Sequence, residues 1–276
     1  MLLYLPWHDR IRFEPVNRHF FTQLRSSYEC GLLELERRYI MRIDNNSVSI
    51  LSKQNDWKSF VVASENSNDM KLAIYRLLSQ VPINEIEFRD APQLQKSLLC
   101  ELAVHAERIK YMSFCFVSLI GQDWNRAFWT SFWNLLPNVS SLNVCFVTLP
   151  ENQKLDEMVI DLIESRPLEF FSVCNREFAL SDESVHSLAR NCSKLSYFFC
   201  NPTSSVTSNA VEHLIDCLLQ LPALEKRRTV AFVHCRLDQK QLLTKFVDHF
   251  KQWSLNDEEV DFTLSNEKLR ITFYYV

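Results

Sequence analysis

Nine cysteines and seven histidines are the side chains best able to bind a metal or attack a carbonyl, and their spacing decides what they can do. No two cysteines form a Cys-x-x-Cys pair, so neither a zinc ribbon nor a thioredoxin-like dithiol is written in the chain. The cysteine count is odd and most of them stand inside apolar runs. Both features point to buried, reduced thiols in a cytoplasmic or nuclear protein. His213, Asp216 and Cys217 fall within one turn of a helical run, VEHLIDCLLQL. That run is apolar and offers no further group to hold a base in place, so the trio reads as a helix face and not as a nucleophile with its base. His234 and Cys235 are neighbours in a strand-like run. Successive strand side chains point to opposite faces, so the two cannot share a metal. Asp156-Glu157 and Asp182-Glu183 sit at helix starts, where they complement the dipole. No catalytic residue, metal ligand or cofactor is expected.

Glycine narrows the field further. The chain holds two, Gly31 and Gly121, in 276 residues, where average usage of ~7% would supply roughly 19. A phosphate cradle needs several glycines so that backbone N–H groups can approach the phosphates, and two isolated ones cannot build it. A Gly-x-Ser-x-Gly elbow is absent as well. The net charge of -4 gives no footprint for nucleic acid. There is no run of five like charges and no basic amphipathic helix, so neither nucleic acid nor membrane is expected as a partner. The opening stretch is too charged for a signal peptide, because Asp9, Arg10 and Arg12 interrupt it.

The elements read as follows. Residues 1–36 are helical. Within 37–66, Ile40 to Ile43 and Val48 to Leu51 are β-rich around Asp44-Asn45-Asn46, whose residues tolerate the left-handed region, so a β-hairpin is predicted. DWKSFVVAS supplies a third strand, and this hairpin region serves as a linker. After the polar SENSND, Ser67 or Asn68 caps the helix MKLAIYRLLSQV. From residue 67 to 276, short apolar strands alternate with amphipathic helices. INEIEFRD, IKYMSFCF, VSSLNVCFVTL, RPLEFFSVC, SKLSYFFCN and RRTVAFVHCRL align on Ile86, Met112, Leu142, Leu168, Leu195 and Val230. These anchors are 26, 30, 26, 27 and 35 residues apart. Four helices follow strands: LDEMVIDLIESRP, with Arg166 late in it; SDESVHSLARNCSKL, capped by Ser181; SNAVEHLIDCLLQLP, capped by Ser208; and DQKQLLTKFVDHFKQW. The last stretch, LRITFYYV, is a closing strand with Ile271 and Phe273 inward.

Periods of 20–29 residues per strand-plus-helix unit are those of leucine-rich repeats. The expected fold is therefore α/β, a leucine-rich-repeat-like solenoid of parallel strands with helices outside. An irregular α/β domain with coincidental spacing is the other reading. On this register the exposed strand face carries Glu87, Arg89, Asn143, Glu169, Phe171, Ser196 and Phe198. It is polar at its N-terminal side and apolar toward Phe171 and Phe198. Such a face either binds a protein partner or is covered by the chain itself.

The N-terminal run YLPWHDRIRFEPVNRHFFTQL resembles the second half of an F-box, with Leu5-Pro6, Asp9, Ile11, Phe13, Val16, Arg18 and Phe20 at matching places. Together with the repeats, the chain resembles an F-box leucine-rich-repeat protein. The resemblance implies that residues 1–36 form a small helical segment docking a Skp-type adaptor, with Leu5, Pro6, Trp7, Ile11 and Val16 as anchors. It implies that the repeats hold a protein to be ubiquitinated, so the chain would be a non-catalytic substrate receptor of an SCF-type ubiquitin ligase. The family's first helix belongs before Tyr4, where Met1-Leu2-Leu3 stand here, so the F-box is expected to be incomplete and its adaptor contact weak. Two alternatives stay open: a repeat-based scaffold with a non-functional F-box, and a helical unit that only caps the first repeat.

Overall fold

The computed structural model describes residues 39–44, 47–52, 60–63, 74–75, 78, 83–94, 96–105, 108–119, 124–151, 153–175, 180–201, 205–233, 239–250, 252–256 and 261–274. The F-box-like stretch, with Leu5, Pro6, Trp7, Ile11 and Val16, lies outside the described residues.

The chain alternates strand and helix as the apolar spacing predicts. Three strands come first: β1 (Tyr39–Ile43), β2 (Ser47–Ser52) and β3 (Phe60–Ala63). Then follow β4 (Ile83–Leu94), α1 (Lys96–His105), β5 (Tyr111–Leu119), α2 (Arg126–Asn134), β6 (Ser141–Cys145) and α3 (Leu155–Ser165). The series continues with β7 (Phe170–Cys174), α4 (Asp182–Arg190), β8 (Tyr197–Asn201), α5 (Ser208–Gln220), β9 (Arg228–Val233) and α6 (Gln239–Phe246). Three strands close it: β10 (Gln252–Asn256), β11 (Asp261–Ser265) and β12 (Leu269–Tyr274).

All these strands belong to one open sheet of twelve, in the order β10-β11-β12-β9-β8-β7-β6-β5-β4-β1-β2-β3. From β5 to β9 each strand pairs in parallel with the one before it in the chain. The helices α1 to α5 pack on one another in the same order. The N-terminal hairpin is not a linker. β1 pairs with β2 antiparallel and with β4 in parallel, so the hairpin extends the sheet. β12 has Ile271 and Phe273 fully buried and reaches β9 in parallel, but it does not close the sheet: β11 and then β10 lie beyond it. The helices α1 and α2 and the hairpin β10–β11 are additions to the elements that the sequence pattern singles out.

The register is where the structure departs most from the sequence reading. Met112 pairs with Leu142, Leu142 with Phe171, Phe171 with Phe198 and Phe198 with Val230. The inward residues of β7 and β8 are therefore Phe171 and Phe198, and Leu168 and Leu195 stand three residues earlier. Both leucines are also buried, since each is the first apolar position of its unit, the place held by Ile83, Ile109 and Val139 in the preceding units. The slip of three residues is an odd number, so it exchanges the two faces of the strand. On the inner face, Phe88 stacks on Phe114 at 5.1 Å, Phe171 on Phe198 at 5.7 Å and Phe232 on Phe273 at 5.5 Å. Each such pair contributes about 0.5–1.5 kcal/mol beyond its area burial.

The helices show how one unit fixes the next. Asn125 caps α2 by accepting from the Phe128 N–H at 3.0 Å. The carbonyls at the other end of α2 are taken by Arg166, which bonds Leu136 O and, at 2.9 Å, Trp133 O. Arg166 has already left α3 in an extended conformation, so it serves the helix before its own. Asp156 on α3 accepts from the Ser181 N–H at 3.0 Å and from the Ser184 hydroxyl. Asp182 on α4 likewise accepts from the Thr207 N–H at 2.7 Å and its hydroxyl at 2.8 Å. Thr207, not Ser208, is the N-cap of α5, and neither Ser181 nor Thr207 caps its helix with its own side chain. An acid that the sequence assigns to its own dipole thus also anchors the start of the following helix.

Candidate functional site

The face of the sheet opposite the helices is built from the residues that alternate with the buried ones. Pairing sets them in rows across the strands. The first row runs Glu85, Tyr111, Ser141, Phe170, Tyr197 and Thr229. The second runs Arg42, Glu87, Ser113, Asn143, Ser172 and Phe199. The third runs Arg89, Cys115, Cys145, Cys174 and Asn201.

The rows differ in chemistry along the sheet. At the β1–β4 end the face is charged: Arg42 Nε donates to Glu87 Oε2 at 2.8 Å, both side chains partly exposed. A pair so placed contributes about 0–1 kcal/mol. Toward the middle the first row turns aromatic. Phe170 stacks on Tyr197 with ring centroids 4.7 Å apart and planes at 7°. Tyr111 meets Phe170 at 6.0 Å although β6 lies between their strands, because the intervening row position is the small Ser141. Burial pushes the Tyr111 phenol up to about 12, against the opposing effect of its bond with Ser113, while the nearby Cys115, Glu85 and Glu87 add to the rise. Burial raises Tyr197 in the same direction, with Tyr274 adding to it. Both phenols are therefore neutral at physiological pH and present a ring with a hydroxyl donor, the combination that favours interfaces.

Beyond the third row the backbone turns sharply. Asp90, Phe116 and Phe146 have φ of 50°, 55° and 52°, and each stands four residues after the inward anchor of its unit, Ile86, Met112 or Leu142. Glycine would adopt this conformation freely, and aspartate tolerates it, but a phenylalanine there costs roughly 1–2 kcal/mol. The two phenylalanines stack at 5.0 Å with planes at 16°, and Phe116 remains 51% exposed. The left-handed residue also lets the next side chain turn inward: Ala91, Val117 and Val147 are all buried. In the following unit Asn175 holds the same offset, is itself buried, and donates to Val147 O at 2.6 Å.

Of the partner face expected from the sequence, Glu87, Arg89 and Asn143 are on the open face, at its charged end and its second row. Glu169 is exposed and Ser196 half-buried just ahead of β7 and β8, with Ser196 Oγ donating to Glu169 O at 2.7 Å. Phe171 and Phe198 are a correction: both are 0% exposed and belong to the core. The aromatic members of the face are instead Tyr111, Phe170, Tyr197 and Phe199. Their signal in the sequence is the fixed offset of one residue before or after each inward anchor, which a consistent anchor exposes.

No catalytic arrangement gathers among the described residues. Asp216 accepts from Lys245 Nζ at 2.8 Å, and His213 Nδ1 lies 2.9 Å from His186 Nδ1 on the neighbouring helix. Cys217 is pushed up by burial and by the charge of Asp216. His213, Asp216 and Cys217 are thus occupied by three different roles. His234 and Cys235 lie outside the described residues. No three histidine, cysteine or acidic side chains converge on a metal-sized site among the described residues, and no described helix is long and apolar enough to cross a membrane.

No family model matches the chain, and no curated protein matches it. Among solved structures, a protein of Bacteroides fragilis determined as a structural-genomics target is similar at a TM-score of 0.29 and 8% identity, over 74% of this chain and 89% of that one.

Proposed function

We propose that the chain is a leucine-rich-repeat-like solenoid that acts as the substrate receptor of an SCF-type ubiquitin ligase, holding a protein substrate on the open strand face. One observation carries the docking role: the row Tyr111, Phe170 and Tyr197 sets three rings side by side on an open face, with the Phe116–Phe146 stack at the far end of the same strands. Buried aromatic anchors dominate protein interfaces, and neutral phenols add directional donors without the cost of burying charge. The serial, in-register parallel strands and the repeated offset of Asp90, Phe116 and Phe146 support the repeat reading. The ligase role rests on the likeness of Leu5-Pro6, Ile11 and Val16 to an F-box.

The test uses the full chain and a purified Skp-type adaptor. Retention of the adaptor, abolished by Trp7→Ala with Val16→Ala, supports the receptor role. Phe170→Glu with Tyr197→Glu is expected to abolish substrate capture in a chain that remains folded and keeps its adaptor contact. A full chain that retains no adaptor, in a preparation that still captures its substrate, overturns the ligase role and leaves a repeat-based scaffold.

A further inference from the structure

The third row of the open face sets three thiols side by side. Cys115, Cys145 and Cys174 are in-register neighbours on β5, β6 and β7. All three are half-buried and none is in a disulfide. Cys145 is the middle of the three, paired in register with Cys115 on one side and Cys174 on the other. Polar donors stand around the row. Asn201 Nδ2 lies 3.6 Å from Cys174 Sγ and Asn143 Nδ2 lies 3.4 Å from Cys115 Sγ. Ser113 Oγ is 3.3 Å from Cys115 Sγ. Amide and hydroxyl donors aimed at sulfur are what stabilise a thiolate once its proton has left.

We infer that Cys145 and Cys174 bind one soft monovalent cation, of the Cu(I) class, in linear two-sulfur coordination on this face. The identity of the ion follows from ligand type and number. Thiolate selects soft ions. Zinc requires four ligands, and no three metal-binding side chains converge here among the described residues. A two-coordinate ion needs only two sulfurs facing each other. In-register neighbours on adjacent strands stand about 4.8 Å apart, which two thiolates on opposite sides of one cation can span with small side-chain movements. Cys174 is the partner because one amide donor, Asn201, can support its thiolate and still leave lone pairs for the metal, whereas the two contacts from Ser113 and Asn143 compete with the metal for the Cys115 sulfur. The ion replaces two thiol protons, which pass to solvent, and nothing is oxidised or reduced. The resulting bis-thiolate complex carries a single negative charge, toward which the Asn201 amide points.

The experiment is anaerobic titration of the full chain with Cu(I) supplied as its bicinchoninate complex, read by loss of that chromophore. Cys145→Ser and Cys174→Ser are each expected to take up one ion fewer than the parent, while Cys115→Ser and Cys100→Ser match it. Circular dichroism checks that each variant is folded. X-ray absorption on the parent at one equivalent of copper reads the ligand count directly, whatever the variants do. Two sulfur ligands support the site. Three sulfurs, or any nitrogen or oxygen ligand, overturn it, as does a folded Cys145→Ser or Cys174→Ser chain that holds as many ions as the parent.

Discussion

Two adjacent phenylalanines give the sharpest test of the register. Phe171 is 0% exposed and stacks on Phe198 at 5.7 Å, whereas Phe170 is half-buried on the open face and stacks on Tyr197 at 4.7 Å. Truncating a buried phenylalanine removes its transfer energy and leaves a cavity, at a cost of about 3–5 kcal/mol. Phe171→Ala is expected at the upper end of that range, since its ring contacts no solvent. That is a large share of a domain stability of roughly 5–15 kcal/mol. Phe170→Ala loses the stacking pair, worth about 0.5–1.5 kcal/mol, and part of its burial, so ~1–2 kcal/mol is expected. The two variants should therefore differ by ~2 kcal/mol or more. Equilibrium urea denaturation reads this, followed by the fluorescence of the buried Trp124, Trp129 and Trp133. Phe170→Ala destabilising as much as Phe171→Ala would mean that the faces have been assigned the wrong way round, and the docking face would fall with them.

Asp182→Ala removes the two bonds that hold the start of α5, and a lost cap costs about 0.5–2 kcal/mol; thermal unfolding of the variant no easier than the parent's would count against the inter-helix anchor. Asp161 gives a pH signature. Burial pushes its carboxyl up, but hydrogen bonds from Arg126 and Thr130 and the guanidinium charge outweigh this and leave it below its usual 3.8. A depressed folded value means stability present above the unfolded value and lost as pH falls through the lower folded one. Asp161→Asn should thus be less stable than the parent at neutral pH, with the gap closing below pH 3.8; a gap that widens in acid contradicts the pairing. In alkylation at pH 8, the exposed Cys100 should react well before Cys145, whose thiol is pushed up to about 12 by burial and by Cys174 and Cys115, and before Cys192, pushed up to about 11 by burial and by Cys217. Peptide mass spectrometry reads the order, and equal rates would argue against the burial of the row.

Much of the architecture is legible in the chain because apolar strand runs recur at near-constant spacing. β1 to β3, the parallel series and β12 follow from such runs. The register of β7 and β8 does not follow as directly. Each unit has two buried apolar positions three residues apart, and in RPLEFFSVC both are filled, by Leu168 and Phe171. Choosing Leu168 instead of Phe171 reverses the face assigned to Phe170, and the apolar residues of RPLEFFSVC fit either choice. Only the spacing across units separates the two. With the anchor at Phe171 the steps become 26, 30, 29, 27 and 32 residues, and Cys115, Cys145 and Cys174 fall at one common offset. The shared caps could not be read from local pattern, because Asp156 and Ser181 are 25 residues apart and meet only when the helices stack. The aromatic helix α2 has a different difficulty. Its Trp and Phe residues fit a strand or a helix by composition, and their burial around Trp124, Trp129 and Trp133 is a matter of packing.

Two of the bonds that hold the starts of successive helices have a direction, and it matches the direction of synthesis. Asp156 waits for Ser181, and Asp182 for Thr207; in each case the acceptor is made first and its donor emerges 25 residues later. At ~5–20 residues per second, that delay is about 1–5 s. Each new helix start can therefore be secured on a unit already formed, and neither of these caps waits on a residue still inside the ribosome. Growth can proceed as a crystal face grows, with the last finished layer as the template for the next. The exception is β9, which pairs with both β8 and β12. Its far side stays open until Leu269–Tyr274 has been made, so the final step of assembly is the insertion of the chain's last described strand.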